Sequence, residues 1–262
     1  MKKNRPMKSF LKSLAAPLRK SSQQQKKEKK YLRRLNSLDD QAKETALKCR
    51  EYTLLNPEKL YAFIQAIRYI EKNGISGDIV ECGVWRGGAI MASALTLKQL
   101  NVPERTFYLY DTFAGMSRPT DKDRPMPGTG DFDVKGEFER AKMDDDSSDW
   151  CYASLEDVKK NLSSIDYDQS KFVYVEGKVE DTLPAALPGP ISILRLDTDW
   201  YESTKQEMEH LMPLLVPKGV LIIDDYYRWA GNKDAVDEYL DEHEIPILLT
   251  RVANSAIGVL PC

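Results

Sequence analysis

Two pairs of aspartates, each directly after a short apolar run, are the residues of this chain best suited to chemistry. Asp197 and Asp199 follow one run, and Asp224 and Asp225 follow another. Both runs are rich in β-branched residues and bounded by Pro or Gly, which is typical of buried strands. In an open parallel sheet, ligands bind beyond the carboxyl ends of the strands. The pattern therefore predicts that four carboxylates converge on one ligand site.

Carboxylates on neighbouring strands repel one another, because such strands lie only about 5 Å apart. A divalent cation with oxygen ligands is the usual compensator. Side chains alternate along a strand, so Asp197 and Asp199 are predicted to face one side and Thr198 the other. One aspartate can then hold metal while the other faces a substrate. Helix capping or a solvated loop would explain a single Asp better than two pairs at matched strand ends.

A glycine-rich turn follows an earlier apolar run and precedes a helix. Its Gly83, Gly87 and Gly88 let the backbone pass close to a cofactor at the helix N-terminus. The spacing is not G-x-G-x-x-G, which disfavours a dinucleotide. The next predicted strand ends at Asp111, where an acid commonly binds the hydroxyls of a ribose. A nucleoside without a pyrophosphate points to S-adenosylmethionine, and the alternative is a surface Asp that begins a loop.

The elements that position these residues alternate between strands and helices. Periodicity predicts strands over 79–84, 106–111, 172–176, 191–196 and 220–223, and helices over 60–71, 88–100, 155–162, 203–214 and 235–240. This order is typical of an α/β fold whose parallel sheet carries helices on both faces. Two last runs, 247–252 and 256–260, predict an antiparallel hairpin around Asn254 at one edge.

Two segments interrupt this alternation. Residues 114–153 are rich in Pro, Gly, Asp and Ser and follow a strand's carboxyl end, which predicts a lid insertion on the ligand side. Residues 1–37 are predicted to be a basic tail, disordered or a surface helix, which contacts an anionic membrane or another protein. A targeting peptide is the less favoured interpretation, because its apolar stretch is short and interrupted by Lys12. The folded domain is predicted over 38–262.

Composition narrows the function classes. The 262 residues carry a net charge of -3, and 13 Lys or Arg against one Glu over residues 1–35 give +12, so -15 remains for the rest. An acidic body argues against nucleic acid as the main partner. No apolar stretch approaches the roughly 20 residues of a membrane span. Four cysteines without C-x-x-C spacing and two histidines provide no zinc site, and they favour a cytoplasmic protein.

Together these motifs resemble the class I methyltransferases of the macrocin O-methyltransferase type, which methylate sugar hydroxyls of macrolides and of novobiocin. The similar stretches are 52–55, 77–88, 111–116, 180–184, 196–204 and 224–226. The resemblance implies a Rossmann-like, mostly parallel seven-stranded sheet with a reversed last strand. It also implies S-adenosylmethionine as methyl donor, a Mg²⁺ ion and a homo-oligomer.

The resemblance further implies a role for each matching residue. Asp199 is the implied general base, and Asp197, Asp224 and Asp225 are the implied metal ligands. The implied cofactor pocket contains Thr53, Leu54, Glu81, Cys82, Gly83, Asp111, Thr112, Phe113 and Asp181, with Ser154 after the lid as a further candidate. The predicted acceptor is a small molecule with a sugar hydroxyl beside a second oxygen, on a natural product or glycan. A catechol-like phenol is the alternative.

Three rival functions fit these motifs less well. A haloacid-dehalogenase-type phosphatase carries its D-x-D after the first strand, whereas here the motif comes late. A D-x-D glycosyltransferase would hold a nucleotide diphosphate through manganese, which requires neither the glycine turn nor Asp111. A non-catalytic scaffold that binds through the basic tail would be marked by missing site acids, yet all four are present.

Overall fold

Seven strands form one sheet in the computed structural model, which describes residues 22–262. They are β1 (Asp78–Cys82), β2 (Phe107–Asp111), β3 (Phe172–Glu176), β4 (Ile191–Leu196), β5 (Leu215–Ile223), β6 (Thr250–Val252) and β7 (Ser255–Val259). The order across the sheet is β3-β2-β1-β4-β5-β7-β6. Strands β1 to β5 are parallel, and β7 is antiparallel to both β5 and β6. The prediction of a mostly parallel sheet with a C-terminal antiparallel hairpin is confirmed.

Helices connect these strands. They are α1 (Ser22–Leu35), α2 (Asp40–Cys49), α3 (Pro57–Lys72), α4 (Gly88–Leu100), α5 (Val134–Ala141), α6 (Leu155–Leu162), α7 (Val179–Thr182), α8 (Tyr201–Leu211) and α9 (Ala230–Glu242). Single 3₁₀ turns cover Arg50–Tyr52, Gln169–Lys171 and Met212–Leu214. The sequence did not predict α2, α5 or α7. No helix within the described range is both long and apolar enough to cross a membrane.

The alternation of side chains along the strands divides the core into two layers. Ile79, Ile193 and Ile222 face helices α2 to α4 on one side of the sheet. Val80 and Leu221 face helices α8 and α9 on the other side. The central strands β1, β4 and β5 are therefore buried on both faces, as parallel strands in α/β folds are. The same alternation places the polar residues just beyond the strand ends on one of these two faces.

Helix α1 lies in the segment predicted as a basic tail. Residues 1–21 fall outside the described part, so the prediction for them stays open. In α1 the side chain of Leu35 is buried, and Tyr31 packs against the core formed by α2 to α4. Arg50 donates to both carboxylate oxygens of Glu28. A helix is one of the two forms predicted for this segment, the other being a disordered tail. The domain boundary at residue 38 stays a prediction.

The predicted lid, residues 114–153, is tied to the loops that follow β4 and β5. The carboxylate of Asp123 accepts a hydrogen bond of 2.8 Å from the backbone N–H of Tyr201, the first residue of α8. The backbone N–H of Met126 donates to the carbonyl of Arg228 at 2.8 Å. These contacts hold the segment against the two loops that carry the paired aspartates. Its opening and closing stay a prediction.

Candidate active site

A cavity of about 390 Å³ lies at the carboxyl ends of β1, β2, β4 and β5. This edge is where open α/β sheets bind ligands, and the volume suits a small molecule. Most of the residues predicted for the site line this cavity: Thr53, Leu54, Glu81, Gly83, Asp111, Thr112, Asp197, Asp199, Asp224 and Asp225. The lid adds a further group that the sequence did not single out: Gly115, Met116, Ser117, Trp150 and Cys151.

Four predicted residues do not line the cavity. Cys82 is buried on the opposite face of β1, and Phe113 is buried in the core. Ser154 caps α6, where its hydroxyl accepts a hydrogen bond from a backbone N–H. Asp181 is exposed, whereas its neighbour Glu180 lines the cavity. The acid of α7 that lies at the site is therefore Glu180, one residue before the predicted Asp181.

A buried arginine, which sequence reasoning missed, joins the carboxylates of three strands. Arg195 is paired with Glu81 across β1 and β4 and is 2% exposed. Its Nη1 lies 2.5 Å from Oε1 of Glu81, and its Nη2 lies 2.8 Å from Asp197 and 2.5 Å from Asp224. All four residues fall on the sheet face that carries α3. The signal for Arg195 was a charged residue inside an otherwise apolar strand, two positions before an aspartate on the same face.

A second cation enters the cluster from helix α3. Lys59 Nζ donates to Asp224 Oδ1 and lies 3.1 Å from Asp225 Oδ1. The side chain of Lys59 is 10% exposed and lines the cavity. Ser255 Oγ donates to Asp224 at 2.7 Å, and Asn254 donates to Asp225. Nothing in the sequence indicated that Lys59 would meet these acids, because α3 is 165 residues away from them.

The charges of the cluster do not balance. Two buried cations, Lys59 and Arg195, and the more exposed Arg228 face five carboxyl groups: Glu81, Asp197, Asp199, Asp224 and Asp225. Burial, followed by the charges of Asp225 and Asp224, raises the pKa of Asp199 well above its ordinary value. Burial also acts to raise the pKa of Asp224, but Arg195 and Lys59 outweigh it and lower that pKa to about 2. The Oδ1 atom of Asp199 is buried and has no hydrogen-bond partner.

The donor chemistry fits a hard divalent cation. The side chains of Asp197, Asp199, Asp224 and Asp225 offer only oxygen ligands, which Mg²⁺ prefers, and the cluster carries excess negative charge. Within residues 22–262, however, no group of three or more Asp, Glu, His or Cys side chains is placed so that it could hold a metal ion. Lys59 and Arg195 bind oxygens of Asp224 that a metal would also use. The residues therefore fit in kind and in charge but are not arranged as a finished metal site.

The glycine turn after β1 lies against the loop after β4. Gly83 has φ +82, and a Cβ at this position would lie 2.2 Å from the carbonyl oxygen of Asp197, so only glycine is tolerated. Asp111 holds the turn: its Oδ2 accepts hydrogen bonds of 2.6 Å from Val84 N–H and 3.0 Å from Trp85 N–H. Its Oδ1 accepts one backbone N–H and keeps capacity for another donor. A ribose hydroxyl is such a donor.

Gly88, the first residue of α4, brings residues 52–54 to the cavity. A Cβ on Gly88 would lie 2.3 Å from the carbonyl oxygen of Tyr52 and 2.7 Å from Cβ of Thr53. The absence of a side chain therefore permits this close approach. Leu54, next along the segment, lines the cavity with a side chain that is 68% exposed.

Backbone strain is concentrated around the cavity. Five non-glycine residues close to it have φ between +49 and +70: Trp85, Phe113, Cys151, Asp199 and Asp225. Each such conformation costs about 1–3 kcal/mol and persists only where the surrounding structure holds it. Residues of this kind cluster at functional sites, and two of these five are the aspartates that end the two acidic pairs.

Four aromatic rings, two of them from the lid, form a cluster beside the cavity. Phe132, Trp150, Trp200 and Trp229 have neighbouring ring centroids 5.7 to 5.9 Å apart. Of these, Trp150 and Trp229 line the cavity. The Nε1 atom of Trp229 is buried and has no hydrogen-bond partner. An unpaired buried N–H costs free energy.

A seven-stranded sheet of this order, with a reversed strand beside β5 and a ligand cavity beyond β1 and β4, is the Rossmann-like fold of the class I methyltransferases. The family model of the macrocin-O-methyltransferases (TylF) matches residues 2–258. The chain therefore belongs to the macrocin O-methyltransferase family.

Individual relatives agree with this assignment. The chain is 32% identical over 194 residues to mycinamicin III 3''-O-methyltransferase of Micromonospora griseorubida, covering 74% of this chain and 72% of the relative. It is 31% identical to demethyldecarbamoylnovobiocin O-methyltransferase of Streptomyces niveus, covering 74% and 70%. The structure of the O-methyltransferase NovP superposes with a TM-score of 0.69 at 29% identity, covering 80% of this chain and 83% of NovP. The fold of the calicheamicin methyltransferase CalS11 is also similar, with a TM-score of 0.61 at 18% identity over 97% of this chain and 99% of CalS11.

Proposed function

We propose that this O-methyltransferase transfers a methyl group from S-adenosylmethionine to a sugar hydroxyl that has a neighbouring oxygen, with Mg²⁺ at the acid cluster. The observation that carries the proposal is the meeting of two motifs in one cavity. The glycine turn with Asp111 lines one part of it, and the paired aspartates line another. A methyl donor and a metal-bound acceptor require such a juxtaposition.

The cofactor is proposed to lie along the Gly83 turn, with its ribose at Asp111 and its amino-acid end near Thr53 and Leu54. S-adenosylmethionine supplies an electrophilic methyl group on a positively charged sulfur. The excess of carboxylates around the cavity favours a cationic ligand. Glu180 is proposed in place of Asp181 as the acid of the 180–184 motif at the cofactor, because Glu180 lines the cavity.

The metal ligands are proposed to be Asp197, Asp224 and Asp225, and the general base to be Asp199. A bound divalent cation lowers the pKa of a hydroxyl that coordinates it. Asp199 is suited to accept the released proton, because its Oδ1 atom has no hydrogen-bond partner. Its backbone has φ +70, a conformation that the surrounding structure must hold. The carboxylate of Asp199 must stay free of the metal to perform this role.

The acceptor is proposed to be a small sugar-containing natural product. The names of the relatives describe methylation of mycinamicin III, of demethyldecarbamoylnovobiocin and of a rhamnosyl tetracenomycin. The wall formed by Trp150 and Trp229 offers aromatic faces for the apolar face of a sugar ring, and the Trp229 N–H offers a donor. A panel of deoxysugar glycosides, with catechol included, tests this choice. Methylation of catechol alone would favour the phenol alternative.

The decisive experiment pairs calorimetry with turnover. S-adenosylhomocysteine is titrated into the protein with Mg²⁺ and then with EDTA, and micromolar binding in both conditions is expected. The Asp199→Asn variant is expected to retain this affinity but to lose about 10²- to 10⁴-fold in turnover, the usual contribution of a general base. The exposed Asp40→Asn on α2 is the control and should behave as wild type. Absence of binding refutes the cofactor site, and full activity of Asp199→Asn refutes the assigned base.

A further inference from the structure

We infer that Lys59 is an internal cation that occupies the proposed magnesium site and that Mg²⁺ must displace it in order to bind. The inference rests on the proposed function, because it concerns the metal proposed there. It assigns to Lys59 a role in setting metal affinity that differs from that of the carboxylate ligands.

The contacts of Asp224 carry the first step. Lys59 Nζ and Ser255 Oγ both donate to Oδ1 of Asp224. Arg195 Nη2 lies 2.5 Å from Oδ2 of the same carboxylate. Both oxygens of a central ligand candidate are therefore engaged by cationic groups. Oδ1 also accepts from the backbone N–H of Asp225, so a metal that coordinates this oxygen must displace a donor, and Lys59 is the only cation on it among the described residues.

The structure identifies Lys59 as the cation that leaves. The Arg195 side chain is 3% exposed and is fixed between Glu81, Asp197 and Asp224. Lys59 contacts only two carboxylates, is 10% exposed and lines the cavity directly. A lysine ammonium stands on a flexible four-carbon stem, whereas the planar arginine fork is held by several bonds at once. Withdrawal of Lys59 toward the cavity therefore breaks fewer contacts.

Two opposing consequences follow from this arrangement. While Lys59 stays in place, it neutralises part of the excess negative charge and stabilises the protein without metal. When Mg²⁺ approaches, the same ammonium competes for oxygens of Asp224 and Asp225 and repels the incoming charge. Removal of the Lys59 charge should thus tighten metal binding and at the same time destabilise the metal-free protein.

The experiment is a titration of the full chain with MgCl₂ by calorimetry, first as wild type and then as Lys59→Met. We expect the variant to bind Mg²⁺ about tenfold tighter or more, since a unit charge within a few ångströms of a divalent ion is removed. Lys59→Arg keeps the charge and should show no gain. Lys48→Met, on the exposed side of α2 where Lys48 pairs with Glu44, is the matched control and should bind as wild type.

Melting temperature is a second readout that does not depend on activity. In EDTA, Lys59→Met should melt below wild type, and saturating Mg²⁺ should raise its melting temperature more than that of wild type. If Lys59→Met does not fold in EDTA, Lys59→Gln, which keeps a hydrogen-bond donor but no charge, replaces it in both measurements.

Two results overturn the inference. Unchanged or weaker Mg²⁺ affinity in the neutral variants would show that Lys59 holds the carboxylates in a ligating arrangement rather than competing with the metal. Absence of Mg²⁺ binding in every protein overturns both this inference and the metal part of the proposed function. Binding of S-adenosylhomocysteine in EDTA then decides separately whether the methyltransferase site stands.

Discussion

Replacement of Arg195 by methionine tests the charge balance of the whole cluster. Methionine keeps most of the aliphatic volume but leaves Glu81, Asp197 and Asp224 without the cation that contacts all three. Removing one partner of a buried ion pair typically costs about 3–5 kcal/mol, because it leaves an uncompensated buried charge. We expect the free energy of unfolding to fall by about that amount at pH 8.5, measured in EDTA.

The loss should depend on pH with a definite sign. Burial raises the pKa of Glu81 to about 7, although Arg195 acts to lower it. A folded-state pKa above the ordinary value means that stability falls as the pH rises through it. In Arg195→Met the folded-state pKa of Glu81 is higher still, because the cation that lowers it is absent. At pH 6, Glu81 is therefore protonated in both proteins. At pH 8.5 it is protonated only in the variant. The destabilisation should therefore be about 2 kcal/mol larger at pH 8.5 than at pH 6, at about 1.4 kcal/mol per pKa unit.

The assay is urea unfolding followed by tryptophan fluorescence at the two pH values. Arg105→Met is the matched control, since Arg105 is a largely buried arginine at the opposite edge of the sheet. It donates to the carbonyls of Gly77 and Ile75 at 2.7 Å and to Glu71. Arg105 contacts one carboxylate where Arg195 contacts three, and its carbonyl partners do not titrate, so its loss should differ less between the two pH values. A loss below about 1 kcal/mol in Arg195→Met, or an equal loss at pH 6 and pH 8.5, refutes the reasoning.

Three further substitutions probe the cofactor segment, a helix cap and the lid. Gly88→Ala adds a Cβ 2.3 Å from the Tyr52 carbonyl oxygen, so residues 52–54 must move, and calorimetry should show about tenfold or greater loss of S-adenosylhomocysteine affinity. Asp39→Ala removes both the α2 cap and the partner of Arg68 and should cost about 1–2 kcal/mol in urea unfolding at pH 7, whereas Asp39→Asn keeps the cap and should cost under about 1 kcal/mol. Because Arg68 lowers the pKa of Asp39, the deficit of Asp39→Asn should vanish as the pH falls through the folded-state pKa of that carboxyl. Asp123→Ala removes the acceptor at the start of α8, and limited proteolysis should cut the lid faster.

One control variant and three possible results test these predictions. Gly189→Ala places a Cβ 3.6 Å from the Asp78 carboxylate, an ordinary contact, and should bind the cofactor product as wild type does. Equal affinity in Gly88→Ala would remove residues 52–54 from the cofactor site. Equal costs for the two Asp39 variants would mean that the ion pair outweighs the cap. A wild-type cleavage rate in Asp123→Ala would show that this contact does not hold the lid.

Local patterns were sufficient to predict the sheet and the positions of its acids. Alternation along β4 predicted that Thr198 faces away from Asp197 and Asp199, and the structure confirms it, since Thr198 donates to the buried Glu207 at 2.9 Å on the other side. The turn chemistry of Gly83 and the end of β2 at Asp111 were also readable, because both depend on neighbours in the sequence.

Contacts between distant segments were not readable in the same way. Whether Glu180 or Asp181 lines the cavity depends on the rotation of a single helical turn, which no periodicity fixes over four residues. The approach of Lys59 to Asp224 depends on how α3 packs on β4 and β5. Packing of this kind is set by the shapes of many side chains, and a single sequence records it only as a stripe of apolar residues.

The strand register connects the stability of this sheet to its chemistry. Glu81, Arg195 and Asp224 lie on the same face as the apolar residues two positions before them, and Asp197 follows two positions after Arg195. On this face of the sheet, apolar core residues are therefore followed directly by charged residues as the strands reach their carboxyl ends. Because the layer is buried under α3, the excess carboxylates must be neutralised by cations that the fold itself supplies. The same cations determine how much negative charge remains for a metal and a cationic cofactor, so substitutions that stabilise the metal-free protein are expected to weaken ligand binding.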